Sequence, residues 1–321
     1  MATPTLRPLG IGEVLDVAIK IYMSNAVALW KLVVAVVAPV TLLSVIVEAS
    51  ATPSSSLDEF GIDPETGEFV GTADDELGTY LAGLGVSLML LLLATILASG
   101  ACFKVVADAY LGRPVEWRSS LAFVARRLHS VVWVTVLTFV LAGLGLILCF
   151  VPGVYLWYSF AVAVPVLLTE QVKGRKALGR SRRLVKGRWW HVFAALVLGT
   201  LLTSIVSGVI TGLATVAVDD QPATIGWIAV SWLAQTISSV LTTPFTAAVA
   251  IVVYFDLRVR KEAFDLELLA AQLGVEPPPG AAPVLGPLIE RPQPTEQPPF
   301  WPPPPGWTPR GPEPDGDPDD R

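Results

Sequence analysis

The chain has 321 residues, 53% of them hydrophobic and 16% charged, with a formal net charge of −6. Soluble domains carry about 25% charged residues, so the composition excludes an ordinary soluble protein. The apolar residues run in long uninterrupted blocks, not in alternating or one-faced patterns.

The N-terminus reads MATPTLRPLGIGEVLDVAIKIY, with Glu13 and Asp16 inside it and no small-residue cleavage site behind an apolar core. It is therefore not a signal peptide. Ile11, Val14, Leu15, Ala18, Ile19 and Tyr22 recur at helical spacing, with Glu13, Asp16 and Lys20 on the polar side. Residues 1–26 read as a cytoplasmic segment carrying an interfacial helix; a helix packed beneath the bundle fits the same pattern.

A helix crossing a hydrocarbon layer about 30 Å thick needs roughly 20 apolar residues. Six blocks meet or approach that length, at 27–47, 80–103, 131–150, 153–169, 192–217 and 228–254. They make 27–256 an all-α polytopic membrane domain, with its helices arranged as three hairpins. Pro39, Pro165 and Pro244 fall inside the first, fourth and sixth, where kinks serve packing or build a binding site.

All 22 Lys and Arg residues fall on one side of these spans. The segments 48–79 and 219–226 contain neither residue type but are rich in Asp and Glu. The positive-inside rule then places both termini and the basic loops in the cytoplasm. The acidic extracytoplasmic loop 48–79 contains IDPETGEFV, whose Pro64–Gly67 core is turn chemistry flanked by Ile62, Phe69 and Val70. A small hairpin is expected there. Its acids lack calcium-loop spacing, so a solvated loop is favoured over a metal site. Cys102 and Cys149 belong to opposite leaflets and are expected to be buried free thiols.

A shift of 62 residues lays Gly112, Arg113, Arg118, Ser119, Arg126 and His129 on Gly174, Arg175, Arg180, Ser181, Arg188 and His191. An acid precedes each block, Asp108 and Glu170, and Asp256 with Arg258 and Arg260 repeats this feature after the sixth span. An acid at a helix C-terminus faces the negative end of the dipole, which a nearby arginine offsets. Structural ion pairs are therefore expected among Asp108, Arg113, Glu170, Arg175, Asp256 and Arg260.

The most charged stretch is Lys173, Arg175, Lys176, Arg180, Arg182, Arg183, Lys186 and Arg188. Leu178, Val185 and Trp189 share one helical face, so the loop is expected to lie on the membrane and contact anionic inner-leaflet lipid. A plain topology determinant explains the same charges. Trp189 and Trp190 belong to the interfacial belt, which argues against nucleic acid. In the fifth span Thr200, Ser204, Gly208 and Gly212 recur every four residues, a helix-packing face whose partner is this chain or another copy.

Residues 257–275 are expected to form a cytoplasmic amphipathic helix. From 276 to 321 proline is too dense for helix or sheet, and a disordered acidic tail is expected. Its PPFWPPPPGW suits an aromatic-lined groove of a protein partner, although a solubilising tail accounts for it too.

No catalytic centre, metal site or cofactor site is legible. His129 and His191 have no HExxH or cysteine partner, GxG at Gly10 and Gly12 lacks its third glycine, and no GxSxG or P-loop is present. The spans hold hydroxyls, amides and glycines where coupled carriers bury ionisable groups.

Four segments, LRPLGIGEVLDVAIKIY, CFVPGVYLWYSFAVAVPVLLTE, ALGRSRRLVKGRWWHVF and YFDLRVRKEAFDLELL, resemble in order the bacterial glycerophosphoryl diester phosphodiesterase membrane-domain family, over about residues 6–273. The resemblance implies a multi-pass protein of the bacterial plasma membrane. Some members adjoin a phosphodiesterase barrel that uses metal-bound acids and histidines. Here a proline-rich tail follows the helices instead, and no catalytic residue carries over. A non-enzymatic scaffold or accessory protein is the expected function. The alternatives are a permease for a lipid-like or uncharged solute, or the membrane partner of a phosphodiesterase. A hydroxyl-lined vestibule in the bundle would favour the permease.

Overall fold

The computed structural model describes residues 9–51, 61–62, 69–70, 73–172, 174–216 and 225–262. Expectations for the first eight residues, most of the acidic loop, Lys173, residues 263–275 and the tail lie outside the described residues. The elements are α1 Ile11–Ser24, α2 Ala26–Ala51, β1 Gly61–Ile62, β2 Phe69–Val70, α3 Ala73–Tyr110, α4 Trp117–Ala125, α5 Leu128–Leu148, α6 Phe150–Ser159, α7 Ala163–Glu170, α8 Arg175–Val185, α9 Trp189–Val216 and α10 Ile225–Glu262. Among the described residues, six spans, with α6 and α7 together forming one, are long and apolar enough to cross a membrane. The protein is an all-α, multi-pass membrane protein. Gly61 pairs with Val70 and Ile62 with Phe69 in an antiparallel arrangement, and the residues of the expected turn lie outside the described ones.

Consecutive spans pack as hairpins, α2 on α3, α5 on α6 and α9 on α10. At the centre is α10, which touches α1, α2, α3, α7, α8 and α9. From Ala247 to Val259 every residue of it is buried, so this helix has no lipid face at its basic end. It runs unbroken to Glu262 because YFDLRVRKE contains no glycine or proline. The separate helix expected from 257 is corrected accordingly: 257–262 continue the last span. At 1.5 Å per residue the 38 residues of α10 span about 57 Å, well beyond the hydrocarbon layer.

The amphipathic α1 buries Val14 and Ala18 against the bundle. It packs on α10, α9 and α3, so its apolar stripe faces protein, while Ile19 and Met23 remain exposed.

The fourth span is broken. Residues 160–162 leave the helix between α6 and α7, three residues ahead of Pro165. Proline has no N–H for the carbonyl four residues back and its ring crowds that turn. The helix therefore stops near Ser159 and restarts at Ala163.

The link between α5 and α6 is a single extended residue, Cys149 at φ −168° and ψ 140°. At this reversal nothing covers Cys149, which is exposed, whereas Cys102 is buried in the core. The expectation of two buried thiols is thus corrected at Cys149. The tight reversal presses the two helices together. A Cβ on Gly153 would sit 2.5 Å from the backbone nitrogen of Leu146, and one on Gly145 3.0 Å from the Cα of Gly153. Backbone cannot yield as a side-chain tip can. We expect Gly153→Ala to lower stability by about 1–3 kcal/mol, read as thermal unfolding in detergent. Gly208→Ala meets open space and should be neutral or stabilising, by up to about 1 kcal/mol.

Candidate functional site

The basic ends of α3, α7 and α10 each carry a carboxylate, and each is paired differently. Asp108 lies two residues before the end of α3, flanked by Lys104 one turn earlier on the same helix and by Arg113 at 3.8 Å. Arg113 reaches back because Gly112, at φ 71°, turns the chain sharply and the Arg113 N–H donates to the Asp108 carbonyl at 2.8 Å. Gly174, its counterpart in the 62-residue repeat, also has positive φ, at 57°. The repeat thus keeps the order span, positive-φ glycine, short helix, span, with Gly174 at ψ −132°.

Glu170 ends α7 and is met by Arg180, with Nε at 2.8 Å and Nη2 at 3.1 Å from its two oxygens. The expected partner Arg175 is corrected to Arg180. Arg175 opens α8 on its exposed side, while Arg180, more than one turn on, is carried back over α7. Arg180 also pairs with Glu262 at the end of α10, and Glu262 takes a second cation from Arg258 at 3.2 Å. Burial alone would disfavour the Arg180 charge, but its hydrogen bonds to Glu262 and Glu170 outweigh this and hold the guanidinium above its usual range. The Tyr254 hydroxyl donates to Glu170 at 3.0 Å. Thr169 Oγ1 lies 2.8 Å from that hydroxyl and 2.7 Å from the Pro165 carbonyl, so its one proton serves one of them at a time. One guanidinium thus ties α7, α8 and α10 together.

Asp256 is not at a helix end, since α10 continues for six residues, so the dipole argument does not apply to it. It instead accepts the Leu9 N–H at 2.8 Å and both contacts of Arg260 Nε at 2.9 Å. Arg260 Nη2 donates to the Leu9 carbonyl at 2.6 Å. The pair fastens the chain ahead of α1 to the middle of the bundle's basic end. His191 Nε2 stands 3.4 Å from Asp256, within ion-pair range but too poorly directed for a hydrogen bond.

The basic stretch folds as α8. Ala177, Leu178, Ser181, Leu184 and Val185 are buried, and Ser181 Oγ donates to the Ser159 carbonyl at 2.8 Å. The apolar face expected on the membrane is thus turned into the bundle. The exposed side carries Arg175, Lys176, Arg182 and Arg183, followed by Lys186 and Arg188. Lys261 Nζ caps the last turn of α8 through the carbonyls of Arg183 at 2.6 Å and Lys186 at 2.5 Å.

The row Thr200, Ser204, Gly208 and Gly212 is exposed, and an added Cβ at Gly208 or Gly212 meets nothing. Of the two partners expected for it, this chain is excluded. The close contact lies one residue earlier, on Val192, Ala195, Gly199 and Thr203, where a Gly199 Cβ would stand 3.2 Å from Val249. The row is four-residue periodic in both registers; only the helix's rotation against α10 distinguishes them.

Beside the broken fourth span lies a groove of about 370 Å³ between α3, α5, α6, α7, α9 and α10. Ser99, Thr135, Thr138, Thr200 and Thr246 contribute hydroxyls among aromatic walls. Pro165 announced the break in the sequence. The groove itself had no local signal, because its residues come from six separate helices. Among the described residues no cluster of three or more His, Cys, Asp or Glu side chains is arranged to hold a metal ion. No family model, no curated protein and no solved structure matches the chain.

Removing the Arg180 guanidinium leaves Glu170 without a cation and Glu262 with Arg258 alone; breaking a fully buried pair costs about 3–5 kcal/mol. We expect Arg180→Ala to approach the lower end of this range in thermal unfolding and to speed proteolysis at α8. Arg175→Ala should stay within about 0.5 kcal/mol of the parent. Equal effects of the two would refute Arg180 as the tie.

Proposed function

We propose that this protein is a non-enzymatic scaffold or accessory protein of the bacterial plasma membrane, whose basic end faces the cytoplasm and holds anionic lipid of the inner leaflet. One observation carries the reading. Arg175, Lys176, Arg182 and Arg183 stand exposed on one side of an anchored helix, Lys186 and Arg188 stand exposed in the link that follows it, and none of the six pairs with a carboxylate among the described residues. Each basic side chain near an anionic surface contributes about 1 kcal/mol. A rigid platform spends little entropy in presenting them. The orientation rests on the positive-inside rule, and the bacterial setting rests on the resemblance to the phosphodiesterase membrane-domain family, as does a role beside a glycerophosphodiester phosphodiesterase.

Replacing the six residues with glutamine should reduce anionic phospholipid retained on the purified protein at least tenfold, as read by mass spectrometry of extracted lipid. Unchanged retention would reject the lipid-holding role and leave the charges as topology determinants.

A second reading, a permease for a lipid-like or uncharged solute, is favoured by the hydroxyl-lined groove beside the interrupted fourth span. The proline-rich tail supplies a further component of the scaffold reading, recruitment of a protein partner. Crosslinking in native membranes should capture a partner with the full chain and lose it when the chain ends at residue 276. The same captures with both chains would remove the tail from the proposal.

A further inference from the structure

We propose that the groove beside the broken fourth span is a binding site for an uncharged lipid bearing a free hydroxyl, of which diacylglycerol is the simplest membrane example. The assignment narrows the lipid-like solute of the permease reading to a chemical class, and it holds whether or not the ligand is moved across the membrane.

Depth, charge and hydrogen-bonding capacity carry the inference together. Thr135 and Thr138 lie seven and ten residues beyond the start of α5, about 10–15 Å along the helix. That places the groove inside a hydrocarbon layer about 30 Å thick. No Asp, Glu, Lys, Arg or His lines it. A charged group entering would lose its hydration with no counter-ion, so the part of the ligand seated here is uncharged. Phe103, Phe139, Trp157 and Phe160 supply apolar wall for a hydrocarbon chain.

The polar atoms select further. A hydroxyl has one proton and two lone pairs. Ser99 gives its proton to the Thr95 carbonyl at 2.6 Å, Thr138 to Val134, Thr200 to Leu196 and Thr246 to Thr242, each at 2.8 Å or nearly so. With the protons turned into their own helices, these four oxygens serve the groove as acceptors. The Ala161 carbonyl joins them. Pro165 has no N–H to offer it, and no backbone hydrogen bond outside the regular helices ends on it. A backbone carbonyl away from water needs a donor, and in lipid only a ligand or a rare water brings one. Thr135 and Tyr158 keep their protons to give, but the acceptors still outnumber these two donors in an uncharged slot. A lipid hydroxyl donates where an ester, an ether or a bare acyl chain has nothing to give.

The test places the full-length protein in phosphatidylcholine nanodiscs with a diacylglycerol carrying a photoactivatable diazirine in one acyl chain. Adducts are mapped by mass spectrometry. We expect them to concentrate on 157–164 and Phe139, and to be displaced by unlabelled diacylglycerol at least tenfold more effectively than by its O-methyl ether. Displacement by the ether at equal concentration would overturn the hydroxyl assignment. Adducts spread evenly over lipid-facing positions such as Ile147 and Leu148 would overturn the site. The near-isosteric double change Thr200→Val and Thr246→Val should weaken labelling about tenfold with unfolding temperature unchanged, and Ala250→Phe should block it by filling the groove. If Ala250→Phe fails to fold, the threonine pair decides alone, and undiminished labelling there refutes the proposal. Transbilayer movement of the same lipid is measured separately in vesicles. Site-specific labelling without accelerated movement would reject the permease reading and leave the site standing.

Discussion

A carboxylate taken out of water at the end of a membrane helix must have a cation or donors beside it, because the desolvation of an unpaired charge costs several kcal/mol. The basic end of this bundle is organised around that requirement. Asp108, Glu170 and Asp256 are each largely buried, and each recruits a cation. The recruiting distances decide which elements lie together. Arg180 spans α7 and α10 from α8, and Arg260 fastens the chain before α1 to α10. Replacing such pairs with well-packed apolar residues is often neutral or stabilising elsewhere. What the pairs add is positional: they fix α1 and α8, two helices that do not cross the membrane, against spans that do.

The same arithmetic explains why the two ends differ. Among lipid tails an exposed leucine costs nothing, since no hydrophobic force drives helices together there. Accordingly α9 buries only 17% of its most apolar window, against 56% for α10, and Ile147, Leu148, Val216 and Ile225 at the acidic end are more than 80% exposed. Contacts at that end are small and specific instead: Ser207 with Ser238 at 2.8 Å, Thr41 with Thr236 at 3.0 Å, and the Trp232 indole on the Ala38 carbonyl beside Pro39 at 2.8 Å. The bundle is tied by charge and core at one end and by scattered hydroxyls at the other.

Much of this was legible in the sequence, for identifiable reasons. Span number follows from length and hydropathy alone, and each of the six blocks falls on an observed span, with the third running two residues past α5, the fourth divided between α6 and α7, and the fifth ending one residue beyond the described α9. The antiparallel pairing of 61–62 with 69–70 accords with the turn chemistry in the sequence between them, and the positive-φ glycines at 112 and 174 lie in matching places of the repeat. What escaped depends on rotation and reach. Arg175 and Arg180 are equally good partners for Glu170 on paper. The choice is made by which side of α8 its leucines turn inward, and Leu178 and Leu184 carry Arg180 over α7 with them. The small-residue row on α9 stands one position, about 100° of helix rotation, away from the face that packs within the chain. Tyr254 gave no signal, because a tyrosine at a span's end reads as an interfacial anchor until it is seen fully buried with its hydroxyl on Thr169 and Glu170 of α7.

Pro165 has two consequences that pull in one direction. By breaking the fourth span it leaves the Ala161 carbonyl without its helical donor, and it frees the Ser159 carbonyl to accept the Ser181 hydroxyl of α8. The break therefore both opens the groove and helps seat the basic helix. A straight fourth helix would satisfy Ala161 internally. It would also take Ser159 away from Ser181, leaving a hydroxyl buried without that partner. Restoring helical hydrogen bonding at 165 thus trades one satisfied group for another. What the break provides is a groove whose hydroxyls suit the polar group of an uncharged lipid and whose aromatic walls suit its chain.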